Sequence, residues 1–516
     1  MRFRFKIALF IVIALVILYL TSPMLTYNWL LDIILYGKMN FVSGVSVMFS
    51  ITAIGVAFII FLENRNPART LTWIVALAIF PVFGFFFYLL FGQSYRKKRI
   101  YKKKSIIDEH VYQLYKRKNP VDVSDVAERN DKLDYLLKVG MTQGNIGLSR
   151  NTKTQVLTNG SETFPSILEE LKKAKHHIHM EFYIVRDDDI GTQIKDILIE
   201  KAKQGVEVRF LYDGVGSWQL SRAYKTDLIG AGVQIVPFSP VKIPILNDTI
   251  NYRNHRKIVV IDGHVGFVGG LNIGDEYLGK DEYYGKWRDT HLKLIGEAVQ
   301  SLQVIFLQDW FYMTNEIIKG AVYFQLTDLP SSPSEGVIQI VAGGPDNKHD
   351  VIKQLFFAMI TNARKNICIM SPYFVPDDDL LTALKVAANA GVKVQILVPD
   401  RPDKKIVFHA SRSYFPELLE AGVEIYEYKQ GFLHGKILMA DDEVASIGTA
   451  NMDMRSFHLN FEITAFLYLE ESIERLAVDF QDDLKNSRQI KYTEFLKRPM
   501  YLRIFESLSR LLAPLL

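Results

Sequence analysis

An internal duplication beyond residue 150 constrains the fold more than any other feature of the sequence. Three short strings recur in the same order, at offsets of 190, 186 and 190 residues. The pairs are 182–185 with 372–375, 205–208 with 391–394, and 231–233 with 421–423. Self-similarity at a nearly constant distance predicts two copies of one structural unit.

Each copy alternates β-branched runs with helical segments, such as 166–175 and 379–389. Strands separated by helices form largely parallel sheets that helices cover on both faces. With 516 residues, the chain is also too long for a single core. We therefore predict an α/β fold of two similar lobes, 146–327 and 335–516, joined by a Pro/Ser-rich connector at 328–335.

The first 92 residues differ in composition and predict a membrane anchor. Apolar stretches occupy 7–20, 41–62 and 71–91, and the last two lack any charged residue. Their length matches the roughly 20 residues that a helix needs to cross a bilayer. The first stretch is shorter and follows basic residues, so a signal peptide remains an alternative to an uncleaved third span.

A charged linker is predicted over 93–145, and it opens with a basic cluster. The cluster consists of Arg96, Lys97, Lys98, Arg99, Lys102, Lys103 and Lys104. Such clusters stay on the cytoplasmic side, which places the lobes there, although the basic start of the chain opposes this topology if 7–20 also spans. The same cluster can mark topology alone or also attract anionic lipids, and the sequence leaves both readings open.

The strongest functional signal is a motif that occurs late in each copy. The first motif is His255-x-Lys257-x4-Asp262 with Gly269, Gly270 and Asn272 after it, and the second is His434-x-Lys436-x4-Asp441 with Gly448, Thr449 and Asn451 after it. Six residues separate the aspartate from the first glycine in both. Since side chains alternate along a strand, the histidine and lysine of each motif face the same side and the aspartate faces away.

Two imidazoles and two ammonium groups that meet in one pocket suit phosphodiester chemistry. One neutral histidine can attack phosphorus while the other, protonated, donates a proton to the leaving alkoxide and later activates the acceptor hydroxyl. Lys257 and Lys436 would neutralise the phosphoryl oxygens, and Asn272 and Asn451 would add donors. No metal or other cofactor is expected. Asp262 and Asp441 are assigned to support of the motifs.

A nucleophilic histidine needs a partner for its second ring nitrogen. Alignment of 287–291 with 460–464 places Asp289 opposite Glu462, each about 30 residues beyond its own motif, and these two are the candidate orienting residues. Other residues fit poorly. His176, His177 and His179 lack Cys or carboxylate partners at ligand spacing for zinc, and the single cysteine, Cys368, lies in an apolar run typical of a core strand.

The duplicated motif resembles that of the phospholipase D superfamily, and the chain from about residue 41 onwards resembles the bacterial cardiolipin synthases. The resemblance to the synthases rests on four strings, at 66–73, 81–84, 88–92 and 451–462. It implies phospholipase D-like lobes with mixed sheets, related by a pseudo-twofold axis. It also implies transfer of a phosphatidyl group from one phosphatidylglycerol to another in the cell membrane, with His255 as nucleophile and His434 as acid and base. Gly270 departs from the serine that is frequent in the superfamily.

Four rival functions share this sequence pattern. A hydrolase or a phosphatidylserine-forming enzyme would use the same site with another acceptor, a tethered nuclease would cleave DNA, and a scaffold would only bind lipid. Nucleic acid is not an expected partner, because the 61 basic and 57 acidic residues nearly balance. A C-terminal amphipathic segment, 501–516, is expected to pack on a lobe, with membrane contact as the alternative.

Overall fold

The computed structural model describes residues 41–62, 67–79, 88, 104–113, 131–143, 147–240, 251–325, 336–347 and 349–515. The chain divides into two compact units, Met1–Arg96 and Lys97–Leu516. The predicted span at 7–20 and the connector at 328–335 lie outside the described residues, as does most of 80–92.

The first unit contains helices α1 (Phe41–Leu62) and α2 (Pro67–Ile79). Ile60, Leu77 and Tyr88 form a small buried cluster, while other apolar side chains of α1, such as Ile54 and Phe58, are exposed. In the described part of the chain, no helix combines the length and the apolar character needed to cross a membrane.

The second unit begins with helical residues 104–113, helix α3 (Asp131–Gln143) and strand β1 (Leu148–Ser149). The first sequence copy then supplies β2 (Thr152–Thr158), α4 (Asn159–Lys173), β3 (His177–Phe182), α5 (Asp189–Lys203), β4 (Glu207–Asp213), α6 (Arg222–Gly230), β5 (Gln234–Phe238), β6 (Ile258–Ile261), β7 (Val265–Gly269), β8 (Lys286–Arg288), β9 (Thr290–Gly296) and α7 (Ala298–Thr314). Its sheet has seven strands in the order β2-β9-β7-β6-β3-β4-β5.

The second copy repeats this plan. Its elements are β10 (Val337–Gly343), α8 (Val351–Asn362), β11 (Asn366–Met370), β12 (Phe374–Val375), α9 (Asp378–Asn389), β13 (Lys393–Pro399), α10 (Lys405–Arg412), α11 (Phe415–Glu420), β14 (Glu424–Tyr428), β15 (Gly431–Leu433), β16 (Ile437–Ala440), β17 (Val444–Gly448), β18 (Met452–Asp453), α12 (Met454–His458), β19 (Glu462–Tyr468), α13 (Ser472–Lys485), β20 (Ser487–Gln489), α14 (Tyr492–Phe495) and α15 (Met500–Leu511). Within its nine-stranded sheet, the order β10-β19-β17-β16-β11-β13-β14 reproduces the first sheet strand for strand.

Both sheets are mixed, which confirms what the family resemblance implied and corrects the expectation of largely parallel sheets that the alternation of strands and helices gave. In the first sheet, β3, β4 and β5 run parallel through helical crossovers, as predicted. The motif strand β6 instead pairs antiparallel with β3 and turns tightly into β7, which is antiparallel to β9. A short hairpin after the motif joins only antiparallel strands, so this half of each sheet could not be parallel.

The two sheets share one apolar core. Ile258 and Val260 of β6 lie in a cluster with Ile437 and Met439 of β16, together with residues of α7 and α13. The alternate residues of β6, Val259 and Ile261, face α4, α5 and α6 on the other side. Helices therefore cover one face of each sheet, while much of the other face packs against the second sheet, so the two motif strands are held at a common interface.

The segment predicted as a linker contributes to the lobes. Leu133, Leu136 and Leu137 of α3 are buried in the core of the second lobe. Strand β1 lies inside the predicted first lobe, 146–327, but it pairs with β10 of the second sheet. Both contacts are long-range, so nothing local in the sequence signals them.

Candidate active site

The first histidine is held by the opposite lobe. His255 lies in the extended stretch just before β6, and its backbone N–H donates to the carbonyl of Phe461 at 2.9 Å. Next to Phe461, at the start of β19, Glu462 places Oε2 2.9 Å from Nδ1 of His255. The His255 side chain is only 12 % exposed and that of Glu462 is fully buried.

The second histidine is held by equivalent contacts, with the roles of the two lobes exchanged. Strand β15 pairs in parallel with β8 of the first lobe, and the N–H of His434 donates to the carbonyl of Arg288 at 2.7 Å. The next residue, Asp289, places Oδ2 2.6 Å from Nδ1 of His434. Each lobe therefore supplies the carboxylate that orients the histidine of the other lobe.

This exchange brings the two histidines, the two lysines and the two carboxylates close enough to interact electrostatically. The candidate carboxylates do contact the histidines, but each contacts the histidine of the other motif. Asp289 contacts His434, 145 residues away, and Glu462 contacts His255, 207 residues away. The lysines act across the interface too, since Lys436 helps to lower the pKa of His255 and Lys257 helps to lower that of His434.

At neutral pH, the pKa values of the site favour neutral histidines and ionised carboxylates. Burial lowers the pKa of His255 to about 4 and that of His434 to about 3. Burial alone would raise the pKa of Asp289 and Glu462, but the facing histidine and the nearby lysine outweigh it and hold both below their ordinary values. In each pair, a neutral ring that donates its Nδ1–H to the carboxylate keeps a lone pair on Nε2.

The two lysines are buried beside the histidines, and no carboxylate among the described residues forms an ion pair with either of them. Lys257 Nζ donates to the carbonyl of His255 at 2.7 Å, and Lys436 Nζ lies 2.8 Å from Nδ1 of His434. Burial lowers the pKa of Lys257 to about 7 and that of Lys436 to about 8. A bound phosphodiester would supply the negative charge that favours their protonated forms.

The motif aspartates have a structural position, away from the histidines. Asp262 accepts hydrogen bonds from the backbone N–H groups of 175–177, at 2.8 to 2.9 Å. Asp441 does the same for 364–366 in the second lobe, at 2.7 to 3.1 Å. Each aspartate thus ties the motif strand to the loop that enters the neighbouring strand, which is the supporting role expected of them.

The predicted asparagines differ from each other. Asn272 uses its amide locally, accepting from the N–H of Ile184 at 3.1 Å and donating to the Tyr277 hydroxyl at 3.1 Å. Oδ1 of Asn451 is buried without a hydrogen-bond partner among the described residues. Only Asn451 therefore retains a free side-chain oxygen, and a phosphate contact remains a prediction for both.

Gly270 leaves room for the crossed carboxylate. A Cβ atom built at this position would lie 2.0 Å from Oδ1 of Asp289. At the equivalent position, the hydroxyl of Thr449 accepts from the N–H of Ile463 at 2.9 Å. The hydroxyl that the first motif lacks is thus part of a backbone contact in the second.

Sequence reasoning missed the aromatic residues that line the histidines. The ring of Tyr183 lies 5.0 Å from that of His255, and the ring of Trp287 lies 5.1 Å from that of His434. Tyr373, the repeat partner of Tyr183, binds the carboxylate of Asp403 through its hydroxyl. The duplicated Tyr183/Tyr373 pair was visible in the sequence, but it was interpreted only as part of the internal duplication.

A second missed feature is a buried ionic cluster behind His255. Arg256 pairs with Asp309 of α7 and donates to the backbone carbonyl of Glu462 at 3.1 Å. Lys104, from helical residues 104–113, lies 3.0 Å from both Asp309 and Asp346 and is 1 % exposed. Lys104 therefore neutralises buried carboxylates, and it is not the surface charge that the basic cluster at 96–104 suggested.

Removal of Lys104 is expected to destabilise the catalytic unit. In Lys104→Met, two buried aspartates would face Arg256 alone, at a cost of about 3–5 kcal/mol for a broken buried pair. Thermal unfolding of the purified full chain, followed by calorimetry, measures the effect. Lys138→Met, which breaks the exposed pair with Asp134, is the control and should change stability by less than about 1 kcal/mol. Equal melting of the two variants would contradict the prediction.

His177, His179 and Cys368 have contacts that do not involve His255, His434 or their carboxylate partners. His179 contacts Gln303 at 2.7 Å and stacks on Phe306, and His177 packs on His179. Within the described residues, no three His, Cys, Asp or Glu side chains are arranged to share a metal ion. Cys368 is buried in β11, and burial raises the pKa of its thiol to about 12.

Comparison with known proteins agrees with this architecture. A family model described as "Cardiolipin synthase, PLD-like domain" matches residues 167–310 and 356–484, and a model described as "Phospholipase_D-nuclease N-terminal" matches 51–93. The solved phosphatidylserine synthase of Haemophilus influenzae Rd KW20 shares the fold, with a TM-score of 0.57 at 16% identity over 74% of this chain and 100% of its own. Fold, site and family models together define an enzyme of the phospholipase D superfamily.

Two curated relatives narrow the assignment. "Cardiolipin synthase 2" of Bacillus anthracis is 60% identical over 91% of both chains, and "Cardiolipin synthase" of Geobacillus sp. (strain WCH70) is 54% identical over 100% of both. The chain belongs to the cardiolipin synthase family, and as a member it is a phosphatidyltransferase.

Proposed function

We propose that this chain transfers a phosphatidyl group from one phosphatidylglycerol to the headgroup of another, through a phosphohistidine on His255. The observation that carries the proposal is the crossed pair of histidine–carboxylate dyads, His255 with Glu462 and His434 with Asp289. One symmetrical site with two neutral imidazoles can provide both a nucleophile and a proton carrier for a single phosphorus atom.

A difference between the dyads supports His255 as the nucleophile. Among the residues that the structure describes, Nδ1 of His255 has only Glu462 as a hydrogen-bond partner, at 2.9 and 3.1 Å to its two oxygens. That contact fixes the proton on Nδ1 and leaves the Nε2 lone pair for attack. Nδ1 of His434 lies close to both Asp289 and the Lys436 ammonium. The carboxylate favours a proton on Nδ1, whereas the ammonium favours a lone pair there. A ring with an adjustable proton suits acid–base exchange.

The reaction then proceeds in two balanced steps. Binding of the negatively charged phosphodiester is accompanied by uptake of one proton on His434. In the first step, Nε2 of His255 bonds to phosphorus, the bond to the glycerol oxygen breaks, and His434 gives this proton to that oxygen. In the second, His434 takes the proton from a hydroxyl of the second phosphatidylglycerol, this oxygen bonds to phosphorus, and the phosphorus–nitrogen bond breaks. Glycerol and cardiolipin leave, and both histidines return to their starting states.

Activity is expected to fall at alkaline pH. Lys257 and Lys436 must be protonated to neutralise the phosphoryl oxygens, so kcat/KM should decrease as pH rises through their pKa values of about 7 and about 8. Lys436→Arg keeps its charge at all these pH values. The arginine variant should therefore lose part of the alkaline decrease even if its rate is lower. The same decrease in wild type and variant would show that Lys436 is not the titrating group.

Attachment to the bacterial cell membrane, with the lobes on the cytoplasmic side, is part of the same proposal. Its support is the pair of uncharged stretches at 41–62 and 71–91, the exposed apolar side chains of α1, and the basic residues at 96–103. Recovery of the full chain in the membrane pellet after alkaline extraction would be the expected result. Recovery in the supernatant would rule out an integral anchor.

Product analysis tests the proposed reaction directly. The purified chain is incubated with labelled phosphatidylglycerol, and cardiolipin with an equal amount of glycerol is the expected outcome. Phosphatidic acid alone would indicate water as the acceptor and therefore a hydrolase. Cleavage of DNA without a lipid product would indicate a nuclease.

A further inference from the structure

The C-terminal helix α15 is amphipathic with its apolar side outward. Seven large apolar side chains at its surface are 42 to 76 % exposed: Met500, Tyr501, Ile504, Phe505, Leu508, Leu511 and Leu512. Its buried residues are the polar Glu506 and Ser509. A helix that packs on a soluble lobe normally shows the reverse orientation, so the expected core-packing role does not account for this face.

Ion pairs hold the helix in this orientation. Glu506 is 2 % exposed and pairs with Arg498 at 2.7 Å. One turn further along the same side of the helix, Arg510 pairs with Glu417 of α11 at 2.9 Å and lies over the ring of Tyr414. Rotation of the apolar face towards the lobe would break both pairs and leave Arg498 and Glu417 without their partners beneath apolar side chains, which is destabilising. The outward face is therefore a property of the folded unit.

The exposed face combines apolar and basic character. Glu506 is the one acidic residue between 495 and 512, and it is buried, whereas Lys497 and Arg503 are exposed. We propose that α15 lies in the interfacial region of an anionic lipid bilayer, with its apolar side chains among the acyl chains and its basic residues at the headgroups. A twofold pairing with a second copy would instead place basic residues against each other.

The position of α15 relates this contact to the active site. It packs on α10, where the ring of His409 lies 4.7 Å from that of Phe505. Just before α10, Asp403 binds the Tyr373 hydroxyl and contributes to the electrostatic environment of Lys436. Only α10 and the residues just before it lie between α15 and the surroundings of Lys436. The inference rests on the proposed function for its purpose, since a lipid-bound α15 would bring the site to its lipid substrate.

A site-specific probe separates this contact from any membrane attachment elsewhere in the full chain. Cys368 is the single cysteine and is buried, so Leu508→Cys in a Cys368→Ala background accepts one environment-sensitive fluorophore. Val478→Cys on α13, 58 % exposed, is the matched control. In vesicles that contain phosphatidylglycerol and spin-labelled lipid, we expect quenching of the probe at 508 and none above background at 478. Equal signals at the two positions would overturn the proposal, as would a change at 508 that depends on protein concentration in detergent, which would indicate self-association.

Activity on two substrate forms provides an independent measurement. Ile504→Ser combined with Leu508→Ser should lower activity on phosphatidylglycerol vesicles by about tenfold or more, because two apolar side chains no longer enter the bilayer. Activity on a short-chain phosphatidylglycerol that is dispersed as monomers should not change. Val386→Ser with Val478→Ser, at exposed apolar positions elsewhere, should affect neither. Equal loss on both substrates would refute the lipid contact. Failure of the unaltered chain to form cardiolipin would refute the proposed function but leave the quenching result valid.

Discussion

His255→Ala and His434→Ala are each expected to lower cardiolipin formation by about 10⁴-fold or more, because residues that act as one catalytic unit fail together. The measurement is the rate of cardiolipin formation from phosphatidylglycerol by the purified full-length variants. Circular dichroism verifies that each variant is folded. A variant with near wild-type rate would show that its histidine has no direct role.

A substrate with a good leaving group distinguishes the two roles. A nitrophenyl phosphodiester needs no proton at the leaving oxygen, so His434→Ala should release nitrophenol in a burst equal to the amount of enzyme and then stall. His255→Ala should show no burst, since it lacks the attacking nitrogen. The opposite pattern would assign the nucleophile to His434.

Replacement of the crossed carboxylates is expected to cost about 10³–10⁴-fold in turnover, as loss of an orienting carboxylate disturbs the tautomer of its histidine. Glu462→Gln and Asp289→Asn preserve shape and remove the charge. Because Glu462 contacts His255 and Asp289 contacts His434, the effects should follow the contacts across the lobes. Cardiolipin formation measures the loss, and Asp227→Asn at an exposed position is the control that should retain full rate.

The burst experiment tests the exchange itself. Asp289→Asn should keep the nitrophenol burst and impair only the later transfer, like His434→Ala. Glu462→Gln should slow the burst, like His255→Ala. If each carboxylate served the histidine of its own lobe, the two results would be reversed.

The fold was predictable where local patterns repeat. The Gly-Val strings at 205–208 and 391–394 mark the same helix-to-strand passage in both lobes, and the parallel strands β3, β4 and β5 follow from it. The antiparallel hairpin of β6 and β7 was missed. Asp262 and Gly263 adopt the left-handed backbone conformation of a tight turn, but Asp262 was interpreted only as a motif position. The apolar face of α15 was recognised, but not its outward direction, which depends on the pairing of Glu506 with Arg498.

By itself, the sequence determined the duplication, the two His-x-Lys-x4-Asp motifs, the candidate carboxylates and the class of chemistry, because each of these is written in residue types at short spacing. The tertiary structure decided which carboxylate serves which histidine, and it revealed that Lys104 is a buried counter-ion. These contacts join residues more than 140 positions apart. Their partners are set by the packing of one sheet on the other, and short-range spacing carries no information about that packing.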